Sequence, residues 1–126
     1  GVEMILVSAC LAGIPCRYNG TAKPDSRIIE MVRAGLAIPV CPEQLGGLTT
    51  PRIPADIRGE KVVSKNGVDV TAQFNKGAQI TLEIAKLYDC REAILKSRSP
   101  SCGKIDGITA KLLKKNGIIV KTEEEL

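Results

Sequence analysis

Apolar positions along the chain fall into two kinds of pattern. Residues 4–7 (Met-Ile-Leu-Val), 36–40 (Leu-Ala-Ile-Pro-Val), 93–95 (Ala-Ile-Leu, in a strand expected over Glu92–Leu95) and 118–120 (Ile-Ile-Val) are short unbroken runs, which predict strands buried on both faces. Between them apolar residues recur every three or four positions. Ile28, Ile29 and Val32 predict a helix capped by Asp25 or Ser26 and stopped by Gly35. Phe74, Ala78, Leu82 and Ala85, widened by Ile80, Ile84 and Leu87, predict the longest helix, residues 72–88 with Thr71 as cap. A last helix is expected over residues 108–115, capped by Asp106-Gly107 and ended by Asn116-Gly117.

The connections are irregular. Asn19-Gly20 marks a turn, and Cys41-Pro42-Glu43 opens a long irregular segment through Pro51, Pro54 and Arg58. Residues 61–64 and 68–70, on either side of Asn66-Gly67, predict a hairpin with a type I′ turn, expected to close over one side of the sheet. Pro39 has no N–H for a ladder, so its strand lies at an edge or ends early. Strand and helix runs alternate. The expected fold class is therefore α/β: a single domain, residues 1–126, with a mostly parallel sheet and helices on its faces in a Rossmann-like three-layer arrangement, plus a small β-hairpin. Gly1-Val2-Glu3 ahead of Met4 are read as an expression remnant, and residues 121–126 as a frayed acidic tail.

Composition narrows the function classes. With 126 residues the chain suits one domain with a respectable core. Aromatic residues are only 2%, so the core is aliphatic and platforms for stacking single-stranded bases are scarce. The net charge of +4 is spread along the chain, which fits a solvated surface and small anionic substrates better than duplex nucleic acid. No apolar run approaches the roughly 20 residues of a membrane helix, and no leader pattern is found, so a cytoplasmic protein without a membrane partner is expected. In that compartment five Cys point to metal binding or catalysis rather than disulfides.

The position of those Cys is the strongest chemical signal. Cys10 and Cys41 each end an apolar run, and Cys102 lies in Ser97-Arg98-Ser99-Pro100-Ser101-Cys102-Gly103, just past the run that ends at Leu95. In a parallel sheet those carboxyl ends lie along one edge, where ligand crevices form. Cys16 shares the Cys10 loop and can serve as a fourth ligand or a redox partner; Cys90 is expected to be an inert buried thiol. There is no Cys-x-x-Cys pair and no His, which disfavours a zinc ribbon and suits an iron–sulfur cluster, zinc being the alternative. Three ligands instead of four would leave one iron open. Without His, Glu43 is the natural proton handler, and Ser99 and Ser101 can position water or donate to a carbonyl. Arg17, Arg52, Arg98 and Lys104 can offer charge to a phosphate, although each by itself is expected at the surface.

Three ordered blocks then carry a family likeness. Ser8-Ala9-Cys10-Leu11-Ala12-Gly13 with Cys16-Arg17-Tyr18-Asn19-Gly20, Val40-Cys41-Pro42-Glu43-Gln44-Leu45-Gly46-Gly47 with Pro51-Arg52, and Ser99-Pro100-Ser101-Cys102-Gly103 resemble a bacterial family of thiouracil desulfidases, formerly a domain of unknown function. The resemblance implies a 4Fe-4S cluster held by Cys10, Cys41 and Cys102, with the non-ligated iron binding the thiocarbonyl sulfur of a thiolated uracil. It also implies that Glu43 handles protons while water attacks the ring, with Ser99, or in second place Ser101, assisting. One departure stands out. The family pattern has a longer Gly-rich segment after the third block, where this chain has only Lys104 and Ile105 before Asp106. Competing readings are a non-catalytic zinc or iron–sulfur domain and a Cys10/Cys16 thiol redox protein.

Overall fold

Three apolar runs and the 118–120 run become the strands of one parallel sheet: β1 (Ile5–Ser8), β2 (Ala37–Val40), β5 (Glu92–Leu95) and β6 (Ile119–Thr122), in the order β2-β1-β5-β6. The computed structural model describes residues 3–104 and 106–126; Gly1 and Val2 of the expected remnant lie outside them, as does Ile105. β2, with Pro39, is an edge strand, where the missing N–H faces no partner on the outer side.

Alternate residues of the central strands point into two different cores, which is why both faces must be apolar. Leu6, Ala93, Leu95 and Val120 pack against helices α3 (Thr71–Leu87) and α4 (Ile108–Lys115), through Leu82, Ala85, Ala110 and Leu113. Val7, Ile94 and Ala37 pack on the opposite face against Ile28 of α1 (Ser26–Arg33). The result is the expected three-layer α/β domain. Asp25 is the cap of α1, its carboxylate accepting the Arg27 N–H at 3.0 Å. Leu87 is the exception in the α3 stripe: it is 79% exposed, while Gly77 and Thr81 are buried in its place. α4 begins after Gly107 with no side-chain cap, and Asp106 is exposed.

Three expectations are corrected. The segment after Cys41 is not irregular at its start: Pro42–Leu45 forms a one-turn helix, α2, with Pro42 at its first position and Glu43 in its first turn. The hairpin exists, but β4 (Lys61–Ser64) pairs antiparallel with β3 (Ala55–Arg58), the other way along the chain. Its turn runs through Gly59 at φ +64°, a conformation glycine adopts without penalty. Asn66-Gly67 does turn the chain, yet the return segment makes only a single bridge, Val63 to Asp69. The hairpin packs through Val62, Ala55 and Ile57 onto Phe74 and Ile108 at the N-terminal ends of α3 and α4. Finally, the acidic tail is not frayed. Glu123–Glu125 forms a 3-10 turn after β6, and the Glu123 carboxylate accepts from the Ser97 N–H at 2.7 Å and the Ser97 hydroxyl at 2.8 Å.

Candidate active site

Strand order fixes where a ligand can sit. The chain moves from β1 outward to β2, returns, and continues from β5 to β6 on the other side, so the order switches between β1 and β5. The crevice beyond the carboxyl ends of such strands is where open α/β sheets bind ligands. A cavity of about 990 Å³ lies there, and Cys10, Cys16, Cys41 and Cys102 all line it together with Glu43, Ser99 and Ser101.

Each thiol is delivered by a strand exit. Cys10 sits in the 3-10 turn Ala9–Ala12 directly after β1; Cys41 is the residue between β2 and α2; Cys102 is in the turn that follows β5. Cys10, Cys16 and Cys41 pack with the α1-side core and Cys102 with the α3/α4 core, so the four approach the edge from both faces of the sheet. Cys90, in the α3/α4 core with Cys102, does not line the cavity, and burial pushes its thiol up. All five thiols are free.

The thiols shift one another's ionisation, and the Cys41 thiol donates to the Cys16 carbonyl at 3.8 Å. A bond from Cys16 lowers the Cys10 thiol below its ordinary range, against burial and the nearby Cys102 charge. The same bond raises Cys16 to about 11, and Cys41 is raised by its bond to Cys16 and by burial. Burial raises Cys102 to about 11, opposed by hydroxyl bonds from Ser8 and Ser101. Each of Cys10, Cys41 and Cys102 is made harder to ionise by the charge of another thiol nearby. Such a group cannot hold several thiolates at once without a cationic centre. Among the described residues no three His, Cys, Asp or Glu side chains are placed to clasp a single metal ion. A polynuclear cluster makes a different demand, because its ligands stand on separate irons around a larger body.

Glu43 has both oxygens engaged. Oε1 accepts from Arg52 Nε at 3.0 Å and Oε2 from Ser101 Oγ at 3.1 Å. Ser101 Oγ also stands 3.6 Å from Cys102 Sγ. Ser99 lies one step behind: its Oγ accepts the N–H groups of Ser101 (3.2 Å) and Cys102 (3.1 Å) and sits 3.2 Å from Ser101 Oγ. Arg98 adopts φ +60° just before this turn, a costly conformation for a side-chain-bearing residue. Its side chain is exposed, as expected, and Lys104 is half-exposed; they pair with Glu124 and Glu125.

Arg52 departs from expectation. Its side chain is 8% exposed, because the Glu43 carboxylate and the Cys16 carbonyl at 2.9 Å draw the guanidinium inward. The sequence signal for it was the need of a buried carboxylate for a cation, which the linear spacing from Glu43 to Arg52 does not advertise. Ser8 was also missed. Its buried hydroxyl accepts the Lys96 N–H at 2.8 Å and works against the upward push of burial on the Cys102 thiol.

An open α/β sheet with a thiol-lined crevice and a paired carboxylate at its switch point defines an enzyme of the doubly wound class. A family model for 2-thiouracil desulfurase matches residues 5–125, and the chain belongs to that family. The Bacillus subtilis (strain 168) protein YbbK is 43% identical over 147 residues, covering 98% of this chain and 97% of YbbK. That span exceeds the 126 residues of this chain, so the relative carries internal residues that this chain lacks. A solved structure described as the 4Fe-4S-dependent thiouracil desulfidase TudS superposes with a TM-score of 0.93 at 41% identity, covering 98% of this chain and 93% of TudS. Among the described residues no helix is long and apolar enough to cross a membrane.

Proposed function

We propose that this enzyme hydrolyses the C–S bond of a thiolated uracil, taken as base or nucleotide, to give uracil and hydrogen sulfide. The observation that carries the reading is the delivery of Cys10, Cys41 and Cys102 by three parallel strand exits to the cavity that also holds Glu43. An all-thiol donor set without His suits an iron–sulfur cluster, and TudS, similar over nearly the whole chain, depends on a 4Fe-4S group. Cys10, Cys41 and Cys102 would be its ligands. With three protein ligands, such a cluster would supply one open iron as a Lewis acid for the thiocarbonyl sulfur. Cys16, whose carbonyl accepts from Arg52 Nη2 and whose thiol lies beside Cys10 and Cys41, is taken in this reading as a neighbour of the cluster.

Glu43 then handles protons. Its Oε2, already beside a hydroxyl, takes a proton from the water as it adds to the ring carbon and returns it to the departing sulfur, then takes the remaining hydroxyl proton as the carbonyl forms and passes it to the released hydrosulfide. The balance is thiouracil plus water to uracil plus hydrogen sulfide, with no electron gained or lost. Ser101 has one proton to share between Glu43 and Cys102 and so fixes the carboxylate's orientation, while Ser99 holds the turn behind it. Arg17 and Lys23 on the cavity wall supply positive charge for the phosphate of a nucleotide substrate.

Anaerobic reconstitution with iron and sulfide, followed by a sulfide-release assay on thiouracils and their nucleotides, tests the reading. The wild type should be brown and release one sulfide per uracil formed. Glu43→Gln should keep the colour and lose at least about 100-fold in rate. A colourless zinc protein, or a brown one that releases no sulfide, overturns the proposal. Loss of turnover in Cys16→Ser with the cluster intact would favour the thiol-relay alternative.

A further inference from the structure

We propose that Arg52 is a positioning residue that aims the Glu43 carboxylate by bracing it against the Cys10–Cys16 loop; the inference rests on the desulfidase reading of the same site. A guanidinium does not shed its charge, so burying one is unfavourable unless its donors are met. Here four bonds occupy most of the five N–H donors. Nε donates to Glu43 Oε1 at 3.0 Å, Nη2 to the Cys16 carbonyl at 2.9 Å, and Nη1 to Thr50 Oγ1 at 3.0 Å and the Thr49 carbonyl at 3.2 Å. The main chain repeats the tie, with the Arg52 N–H donating to the Tyr18 carbonyl at 2.8 Å.

One planar group therefore joins three segments: α2, which carries Glu43; the loop after β1, which carries Cys10 and Cys16; and the stretch 49–52. From the other side Ser101, in the loop after β5, holds Oε2. The carboxylate is clamped between the loops of the two strands that flank the switch point. A glutamate side chain otherwise has several free torsions, and ordering it in one pose is unfavourable unless partners fix it. An arginine needed only to hold the loop would be satisfied by Thr49, Thr50 and Cys16; the Nε bond reaches past them to the proton handler. Lysine keeps the charge but has no fixed fork, so it cannot serve these directions together.

The test is a double-mutant cycle between Arg52→Lys and Glu43→Gln on the cluster-loaded enzyme, with infrared spectra of the metal-free protein. Arg52→Lys should lower kcat by about 10- to 100-fold and leave KM within about threefold. Iron content and visible spectrum should match the wild type. In the Glu43→Gln background the same substitution should cost less than about twofold more. The carboxylate band of Glu43, isolated by subtracting the Glu43→Gln spectrum, should shift in Arg52→Lys. Losses that multiply, or a band that stays in place, overturn the proposal. The infrared result is read without cluster or substrate, so it decides on Arg52 even where no sulfide is released; a wild type silent on every thiouracil overturns the desulfidase reading instead. Should Arg52→Lys fail to melt cooperatively, Thr50→Val removes one brace and should produce a smaller band shift and a kcat loss that again vanishes beside Glu43→Gln.

Discussion

Gly46 and Gly77 bring the backbones of α2 and α3 into direct contact. A Cβ on Gly77 would stand 1.8 Å from the Pro42 carbonyl oxygen and 3.2 Å from the Gly46 nitrogen; one on Gly46 would stand 1.9 Å from the Gln73 oxygen. Both obstacles are main-chain atoms, so relief requires moving the one-turn helix that carries Glu43 and follows Cys41. Gly77→Ala should destabilise the protein by about 3 kcal/mol or more, at or beyond the usual cost of overpacking, and reduce iron uptake on reconstitution. A denaturant midpoint within error of the wild type would show that α2 is free to shift.

Ser101 and Ser99, two residues apart, should separate on kinetics. Ser101→Ala removes the hydroxyl on Glu43 Oε2 and should lower kcat about 10- to 100-fold with the fold intact. Ser99→Ala leaves two backbone N–H groups without their acceptor, so it should cost about 1–3 kcal/mol of stability and change kcat far less. Steady-state rates paired with thermal melts read both; equal kcat losses would contradict the division.

Acid sensitivity should trace in part to Glu123. Burial alone would raise its carboxyl, but the Ser97 N–H and hydroxyl, with Lys96, hold it below the ordinary carboxylate range. A depressed folded value means the stabilisation is complete above the unfolded value, about 4.3, and is lost as pH falls through the folded one. Glu123→Gln should therefore cost about 1–3 kcal/mol near neutral pH and converge with the wild type in acid. Parallel stability curves down to low pH would refute this.

Thr109 offers a gain. Its hydroxyl is fully buried in α4 with no partner among the described residues. Thr109→Val keeps the shape and removes the unmet group, so stability should rise by up to about 1 kcal/mol. A lower denaturant midpoint would mean that the hydroxyl is paired through a bound water.

The fold was legible where burial on both faces writes itself as an unbroken apolar run: β5 matches its expected bounds, and the Cys-bearing exits follow from it. α3 was legible from its stripe and α4 from the Asn116-Gly117 stop at its end. α2 was not, because four residues are too few to display a period. β3, an Ala-Asp-Ile-Arg segment with alternate residues exposed and Pro54 at its start, carries little strand signal, and the stronger Asn-Gly turn drew the pairing to the wrong side. The thiols and Glu43 could be placed along one edge from strand direction alone. Arg52 could not, since its burial arises from partners in the Cys16 loop and α2 that only the folded chain assembles. Nor could the role of Glu123, whose three-carboxylate run reads as solvated until Ser97 is brought beside it.

The strands from which Cys10, Cys41 and Cys102 hang pack chiefly through aliphatic side chains. In a zinc finger the metal is the keystone, and its removal unfolds the chain. If those thiols hold the cluster as proposed, its loss to oxygen or a chelator should leave this frame standing, so that damage at the site calls for refilling by iron and sulfide rather than for synthesis of a new polypeptide.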